Sequence, residues 1–174
     1  MTSIWDAPPL ITCARFRVDG QLVLDLVLGA GTIVIPEEVR QETVDAGLAG
    51  GYPDAVAIRE RVAAGGVVVR RTSRLAEPLE QVLDAYRLHE GDKAVVRLSL
   101  QAPDADAVVT DDRLLFAVLH RCGCRALFLP DLVEAVVAQG AFGAGTGGRI
   151  LRAIRPRLPA GFVEHSLRRL EGVI

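Results

Sequence analysis

The sequence predicts an α/β domain of three layers, α/β/α, around a mainly parallel central sheet of four to five strands. Short apolar, β-branched segments alternate along the chain with longer segments whose apolar residues recur at helical spacing. The strand-like segments are apolar throughout instead of alternating with polar residues, as strands buried on both faces require, and covering both faces takes a helical layer on each side. Composition agrees, since half of the residues are apolar and only 5% are aromatic, which suits Val, Leu and Ala packing in layers. A length of 174 residues suits one domain, 1–174, with no polar linker and no internal repeat to divide it.

The strands are expected, in order, at "SIW" (3–5), "TIVIP" (32–36), "GVVVRR" (66–71), "DAVVT" (106–110) and "RALFLP" (125–130). Each is short, β-branched or apolar, and bounded by Gly, Pro or Asp. Helices are expected between them. "GQLVLDLVL" follows the first strand after a Pro-Pro start; "PEEVRQETVDAGL" has Pro36 at a favourable first-turn place, and "PDAVAIRERVAA" repeats the pattern. "EPLEQVLDAYRL", "GDKAVVRLSLQ" and "DDRLLFAVLHR" follow, and "PDLVEAVVAQG", "GGRILRAIRPRL" and "FVEHSLRRLEGV" close the chain. "GAFGAGTGGR" (140–149) is read as a flexible connection between helices: it follows no strand and lacks the lysine of a phosphate-binding loop.

Several function classes are disfavoured at once. No apolar stretch approaches the roughly 20 residues of a membrane span, and the first residues lack the basic start and apolar centre of a secretion signal, so a cytoplasmic protein without membrane contact is expected. Cys13, Cys122 and Cys124 are an odd number in such a chain, which argues against a disulfide framework, and "CGC" has no second thiol pair or histidine set to make a zinc site. The formal charge of −2 argues against a general nucleic-acid coat. His89, His120 and His165 are scattered on helical segments, and no Ser, His and Asp set surrounds a nucleophile elbow, so acyl transfer has little support.

Acidic residues carry the functional signal. Ligands of open parallel sheets collect outside the carboxyl ends of the strands. Asp6 follows the first expected strand, Asp111 and Asp112 follow the fourth, and Asp92 stands at the start of a helix. Singly, each reads as a helix cap. Together they repel one another, and a divalent cation offsets that repulsion; hard oxygen ligands suit Mg²⁺ or Mn²⁺. A fourth acid comes from "PEEVRQE". At about 100° per residue, Glu42 lies about 60° from Val39 and about 40° from Ala46, bordering the inward stripe, whereas Glu38 lies about 100° from Val39 and reads as a solvent-facing first-turn acid. A half-exposed helix-face charge is the competing reading of Glu42.

The order of "WDAPPLITCARF", "IVIPEEVRQE", "EGDKAVV" and "AVVTDDRLL" resembles the PIN-domain family, metal-dependent nucleases that include the toxin ribonucleases of toxin/antitoxin pairs. Asp6 with "PLI" resembles the opening aspartate of that family, Glu42 stands at the place of its second acid, and Asp92 stands where that branch often has glutamate. "VVTDDR" resembles the fourth motif, with Asp112 at the Thr-x-Asp spacing and Asp111 as the alternative. The resemblance implies an endoribonuclease that hydrolyses RNA with Mg²⁺ or Mn²⁺ held by Asp6, Asp92 and Asp112 (or Asp111), with Glu42 completing the cluster. It also implies a homodimer and, for the toxin branch, an antitoxin protein as partner. A catalytically silent PIN-like module that binds RNA or protein would share the fold. A phosphorylation receiver would carry its acidic pair after the first strand, where this chain has one aspartate, and a nucleotide binder would need a glycine-rich loop where this chain has "DAPPL". Arg70, Arg71 and Arg74, and Arg149, Arg152, Arg155 and Arg157, are two basic clusters that could meet RNA phosphates or simply be solvated faces. Lys93 beside Asp92 could likewise weaken metal affinity or meet a phosphate.

Overall fold

A computed structural model of the chain describes residues 1–173. The central sheet has five strands, all parallel: β1 (Thr2–Trp5), β4 (Thr32–Pro36), β5 (Val67–Arg70), β6 (Ala107–Val109) and β7 (Ala126–Leu127), in the order β5-β4-β1-β6-β7. Successive residues of a strand point to opposite faces. Ile4 and Trp5, and Val108 and Val109, are all buried, so both faces of the central strands are covered. The predicted three-layer α/β class is therefore the observed one.

The register sets up one edge for chemistry. Trp5 of β1 stands opposite Val109 of β6, and Val109 stands opposite Leu127 of β7. The residues that leave these strands, Asp6, Thr110 and Phe128, consequently emerge side by side at the carboxyl edge. Asp6 N donates to Val109 O at 3.0 Å and Thr110 N to Leu127 O at 3.1 Å, which holds the three exits in step.

Helix α1 (Ala7–Arg15) was not among the expected helices, yet its start is written in the sequence: Asp6 accepts from Ala7 N at the N-cap, and the prolines sit in the first turn, where no N–H is needed. A two-stranded hairpin, β2 (Arg17–Val18) with β3 (Gln21–Leu22), takes the beginning of the expected "GQLVLDLVL" helix and leaves α2 (Val23–Leu28). Its turn is Asp19-Gly20 with φ of 51° and 82°, the left-handed pair that a tight hairpin turn demands. "Asp-Gly" is a hairpin signal that the helical reading of "GQLVLDLVL" left unused.

Next come α3 (Glu37–Arg40), a π-helical segment Gln41–Ala46, α4 (Gly47–Ala49) and α5 (Pro53–Ala63). Beyond β5 lie α6 (Leu79–Ala85) and α7 (Glu90–Gln101); α7 packs over β1 and β4. Helix α8 (Arg113–Arg121) follows β6. β7 is shorter than the expected "RALFLP", because Phe128 caps α9 (Leu129–Ala138) and Pro130, lacking an N–H, suits a first helical turn better than a central ladder. α10 (Ala144–Ile154), a 3₁₀ turn Arg155–Arg157 and α11 (Ala160–Leu170) complete the chain, with α9, α10 and α11 packed on one another.

The expected flexible loop at 140–149 is largely helix, since α10 begins at Ala144. Gly147 serves packing: a Cβ there would lie 2.7 Å from Val137 Cγ2 and 3.0 Å from Leu170 Cδ1. At the amino edge of the sheet, a Cβ on Gly31 would lie 2.0 Å from Met1 O, the oxygen that accepts from Thr32 N where β4 begins to pair with β1. Gly31→Ala is expected to force these strands apart locally and cost about 1–3 kcal/mol, read as a lower urea midpoint with an unchanged slope.

Candidate active site

Four acids from four separate segments lie within electrostatic reach of one another toward the carboxyl edge. Asp6 ends β1 and caps α1; only 3% of it is exposed. Its Oδ1 accepts from Ala7 N at 2.8 Å and its Oδ2 from the Thr110 hydroxyl at 2.8 Å. Asp112 caps α8, its Oδ1 accepting from Leu115 N at 2.8 Å. Asp92 lies in the first turn of α7, where Oδ2 accepts from His89 N at 3.1 Å. Glu42 comes from the π-helical segment, and its Oε2 lies 3.4 Å from where a Cβ on Gly91 would stand, so the glycine preceding Asp92 leaves room for the Glu42 carboxylate. The regular 100° step used to choose Glu42 fails here, because a π segment bonds i to i+5. Contact with Gly91 supplies the placement instead.

Electrostatics ties the four together. Burial, followed by the negative charges of Asp92 and Glu42, pushes the Asp6 carboxyl up to about 7 against the pull of its two hydrogen bonds. Glu42 is raised by burial and by Asp92, partly offset by His89. Asp92 is raised by burial and by Asp112, against its bond from His89 N. Asp92 thus makes Asp6 and Glu42 harder to ionise, Glu42 does the same to Asp6, and Asp112 to Asp92, as like charges near one another do.

Asp111, the alternative to Asp112, belongs to a different neighbourhood. Its Oδ1 accepts from Leu129 N at 3.1 Å at the start of α9, and its Oδ2 is buried without a partner. Burial lifts it to about 6, with Arg157 opposing and Asp131 adding to the rise. None of the charges acting on it is Asp6, Glu42 or Asp92. The adjacent aspartates therefore diverge, Asp112 toward the acidic group and Asp111 toward the α9 start.

Other expectations sort out equally plainly. Glu37 pairs with Arg40, which holds its carboxyl below the usual range. Glu38 is not the freely solvated acid the sequence suggested: its Oε2 is buried and unpartnered. Lys93 turns from the site to Asp84 at 2.6 Å and Glu90 at 3.0 Å, so it neither neutralises Asp92 nor stands free for phosphate. His89 is exposed as expected, yet its charge reaches Glu42 and Asp92. Arg70 ends β5 opposite Pro36, which puts the first basic cluster on the carboxyl edge, two strands from Asp6. Within it, Arg74 lies 4.0 Å from Glu80. Of the second cluster, Arg149 pairs with Asp19, Arg152 with Glu171, and Arg157 donates to the Thr12 hydroxyl. The cysteines are all free, and Cys13 is buried, which drives its thiol pKa upward.

Sequence reasoning overlooked Thr110. Its buried hydroxyl donates to Asp6 Oδ2 and accepts from Asp112 N at 3.1 Å, so one side chain sets the positions of two of the acids. The Thr-x-Asp spacing was noted for its aspartate alone.

Among the described residues no three His, Cys, Asp or Glu side chains stand close enough, as placed, to hold a metal ion. The donor set nevertheless fits a hard divalent cation: four carboxylates, no soft ligand, and mutual repulsion that a cation would relieve. Asp112 and Glu42 reach solvent, and a carboxylate oxygen that accepts one hydrogen bond keeps a second lone pair for a cation.

A family model described as PIN domain matches residues 2–126. No curated protein matches the chain. Among solved structures, the chain is similar to a PilT N-terminus domain protein from the hyperthermophilic archaeon Sulfolobus solfataricus P2, with 15% identity, a TM-score of 0.48, and 79% of this chain and 94% of that one covered. It is also similar to a domain of a functionally unknown protein from Methanocaldococcus jannaschii DSM 2661, with 17% identity, a TM-score of 0.45, and 73% and 89% covered.

Proposed function

This chain belongs to the PIN-domain family, and we propose that it is a metal-dependent endoribonuclease whose site is Asp6, Glu42, Asp92 and Asp112. PIN domains are generally nucleases and generally use divalent metal ions. The observation that carries the reading to these residues is the carboxylate group at the carboxyl edge, where burial and like charge raise Asp6 to about 7.

Asp6, Asp92 and Asp112 would hold Mg²⁺ or Mn²⁺, with Glu42 completing the set. When bound, the cation polarises the phosphoryl oxygen and lowers the pKa of water. The protein's own groups do the rest. Thr110 fixes Asp6 and the Asp112 backbone; His89 N fixes Asp92. Glu42, exposed on the solvent side of the group, would complete the set or orient the attacking water. No nucleophilic side chain is needed. Asp111 is left to the α9 start.

The test is cleavage of a mixed single-stranded and structured RNA pool with Mn²⁺ or Mg²⁺, beside EDTA and Asp112→Asn. Cutting that EDTA and the variant both abolish supports the reading. A folded protein that neither cuts RNA nor binds the cation sinks it, leaving the catalytically silent binding module. The toxin resemblance adds an antitoxin partner and a homodimer to the proposal: growth arrest on expression and a dimer mass by light scattering are the expected results.

A further inference from the structure

We propose that Phe116, Phe128 and Phe162 form a stacking platform for an unpaired base of single-stranded RNA beside the acidic site. The proposal rests on the ribonuclease reading for its substrate and deepens it by naming the RNA form. Phe116 and Phe128 lie face to face with ring centroids 4.4 Å apart and 6° between planes; Phe128 and Phe162 follow at 4.8 Å and 20°. Phe128 is the middle ring, so Phe116 and Phe162 are the two ends. The chain has only five phenylalanines, and three of them make this ladder.

Its position is that of a substrate contact. Phe128 leaves β7 at the carboxyl edge, next to the strand that delivers Thr110 and Asp112 and about 5 Å from it. Phe116 lies one turn beyond Asp112 on α8, its N bonded to Asp112 O. Arg113, the residue after Asp112, places its guanidinium 5.7 Å from the centre of the Phe162 ring and forms no ion pair among the described residues. An aromatic ladder beside a guanidinium that has no carboxylate partner among the described residues suits both parts of an unpaired nucleotide, its flat base and its phosphate.

Packing alone does not account for the ladder. α11 is already anchored by buried Val163, Ser166 and Leu167, while Phe162 remains 36% exposed. Phe128 and Phe162 also lie beyond residues 2–126, the span matched by the family model. A duplex keeps its bases stacked inside and cannot use such a surface, which commits the platform to single-stranded RNA.

The test is fluorescence anisotropy of a labelled oligoadenylate titrated with the full chain in Ca²⁺ buffer, repeated with a blunt RNA duplex. Phe162→Leu and Phe116→Leu keep apolar bulk and lose the ring, and Phe162→Tyr keeps the ring. The Leu variants are expected to weaken oligoadenylate binding by about 5–100-fold, with Phe162→Tyr binding as the parent does and duplex binding unchanged. Melting temperatures equal to the parent's will show that the variants are folded. Equal binding by folded Leu variants, equal losses on duplex, or no binding of oligoadenylate by the parent would overturn the platform. Cleavage by the same proteins in Mg²⁺ or Mn²⁺ buffer separates the two readings: ring-dependent binding without cutting removes the nuclease and keeps the platform, and cutting with ring-independent binding does the reverse.

Discussion

Asp6→Asn is expected to remove metal-dependent RNA cleavage, by about 100-fold or more, and at the same time to stabilise the metal-free protein. The loss follows from taking a charged oxygen donor out of the carboxylate group. The gain follows from the state of the group without a cation. In the fold Asp6 titrates at about 7 against an ordinary 3.8, because burial and then Asp92 and Glu42 disfavour its ionised form. A raised acid binds its proton more tightly folded than unfolded. Its stabilising contribution is therefore complete below about pH 4 and is lost as pH rises through about 7. The three-unit difference is on the order of 4 kcal/mol at pH 8, and an amide of the same shape avoids most of it. Thermal melts in EDTA between pH 4 and 8 should show the parent losing stability over that window and Asp6→Asn losing much less. Added Mg²⁺ or Mn²⁺ should raise the parent's melting temperature and leave the variant's unchanged. A parent insensitive to both pH and metal would remove the premise that these acids share a site.

Thr110→Val is expected to have the second largest effect, through position instead of charge. The substitution keeps volume and branching in a fully buried site but removes the hydroxyl that donates to Asp6 Oδ2 and accepts from Asp112 N. Each polar group left without its partner costs about 1–3 kcal/mol. Misplacing two acids at once should lower activity about 10–100-fold, mostly in kcat. Thr110→Ser retains the hydroxyl and should restore activity while recovering only part of the stability, since the lost methyl leaves a small void. A Val variant as active as the parent would assign the hydroxyl to folding alone.

How far the sequence could be read depended on how local each signal was. The strands at 2–5, 32–36, 67–70 and 107–109 were legible because continuous apolar runs bounded by Gly, Pro or Asp have few other uses. Helices α5, α7, α8 and α11 were legible from spacing. Helix α1 and the Asp19-Gly20 hairpin were missed although each carries its own signal, a capped Pro-Pro start and a turn dipeptide, because the helical spacing of "GQLVLDLVL" reads as one continuous helix. The glycines at 140–149 suggested a loop on propensity; close packing of α10 against Val137 and Leu170 made helix the better state for residues from 144 on.

By itself, the sequence determined the layer class and the order of the strands along the chain, and it marked the acids that follow the strands as candidates, because apolar patterning and Asp positions after strands are properties of neighbouring residues. Tertiary structure alone decided which acids meet. Asp111 and Asp112 are indistinguishable as neighbours in sequence, yet the turn into α8 sends one to Leu129 N and the other to the site of Asp6 and Asp92. The sheet register put Thr110 between Asp6 and Asp112, and the gap at Gly91 admitted Glu42. It also stacked Phe116, Phe128 and Phe162, three residues with no common local pattern, at one edge. Such meetings are set by strand order and packing between residues as much as 104 positions apart, and no window along the chain contains them.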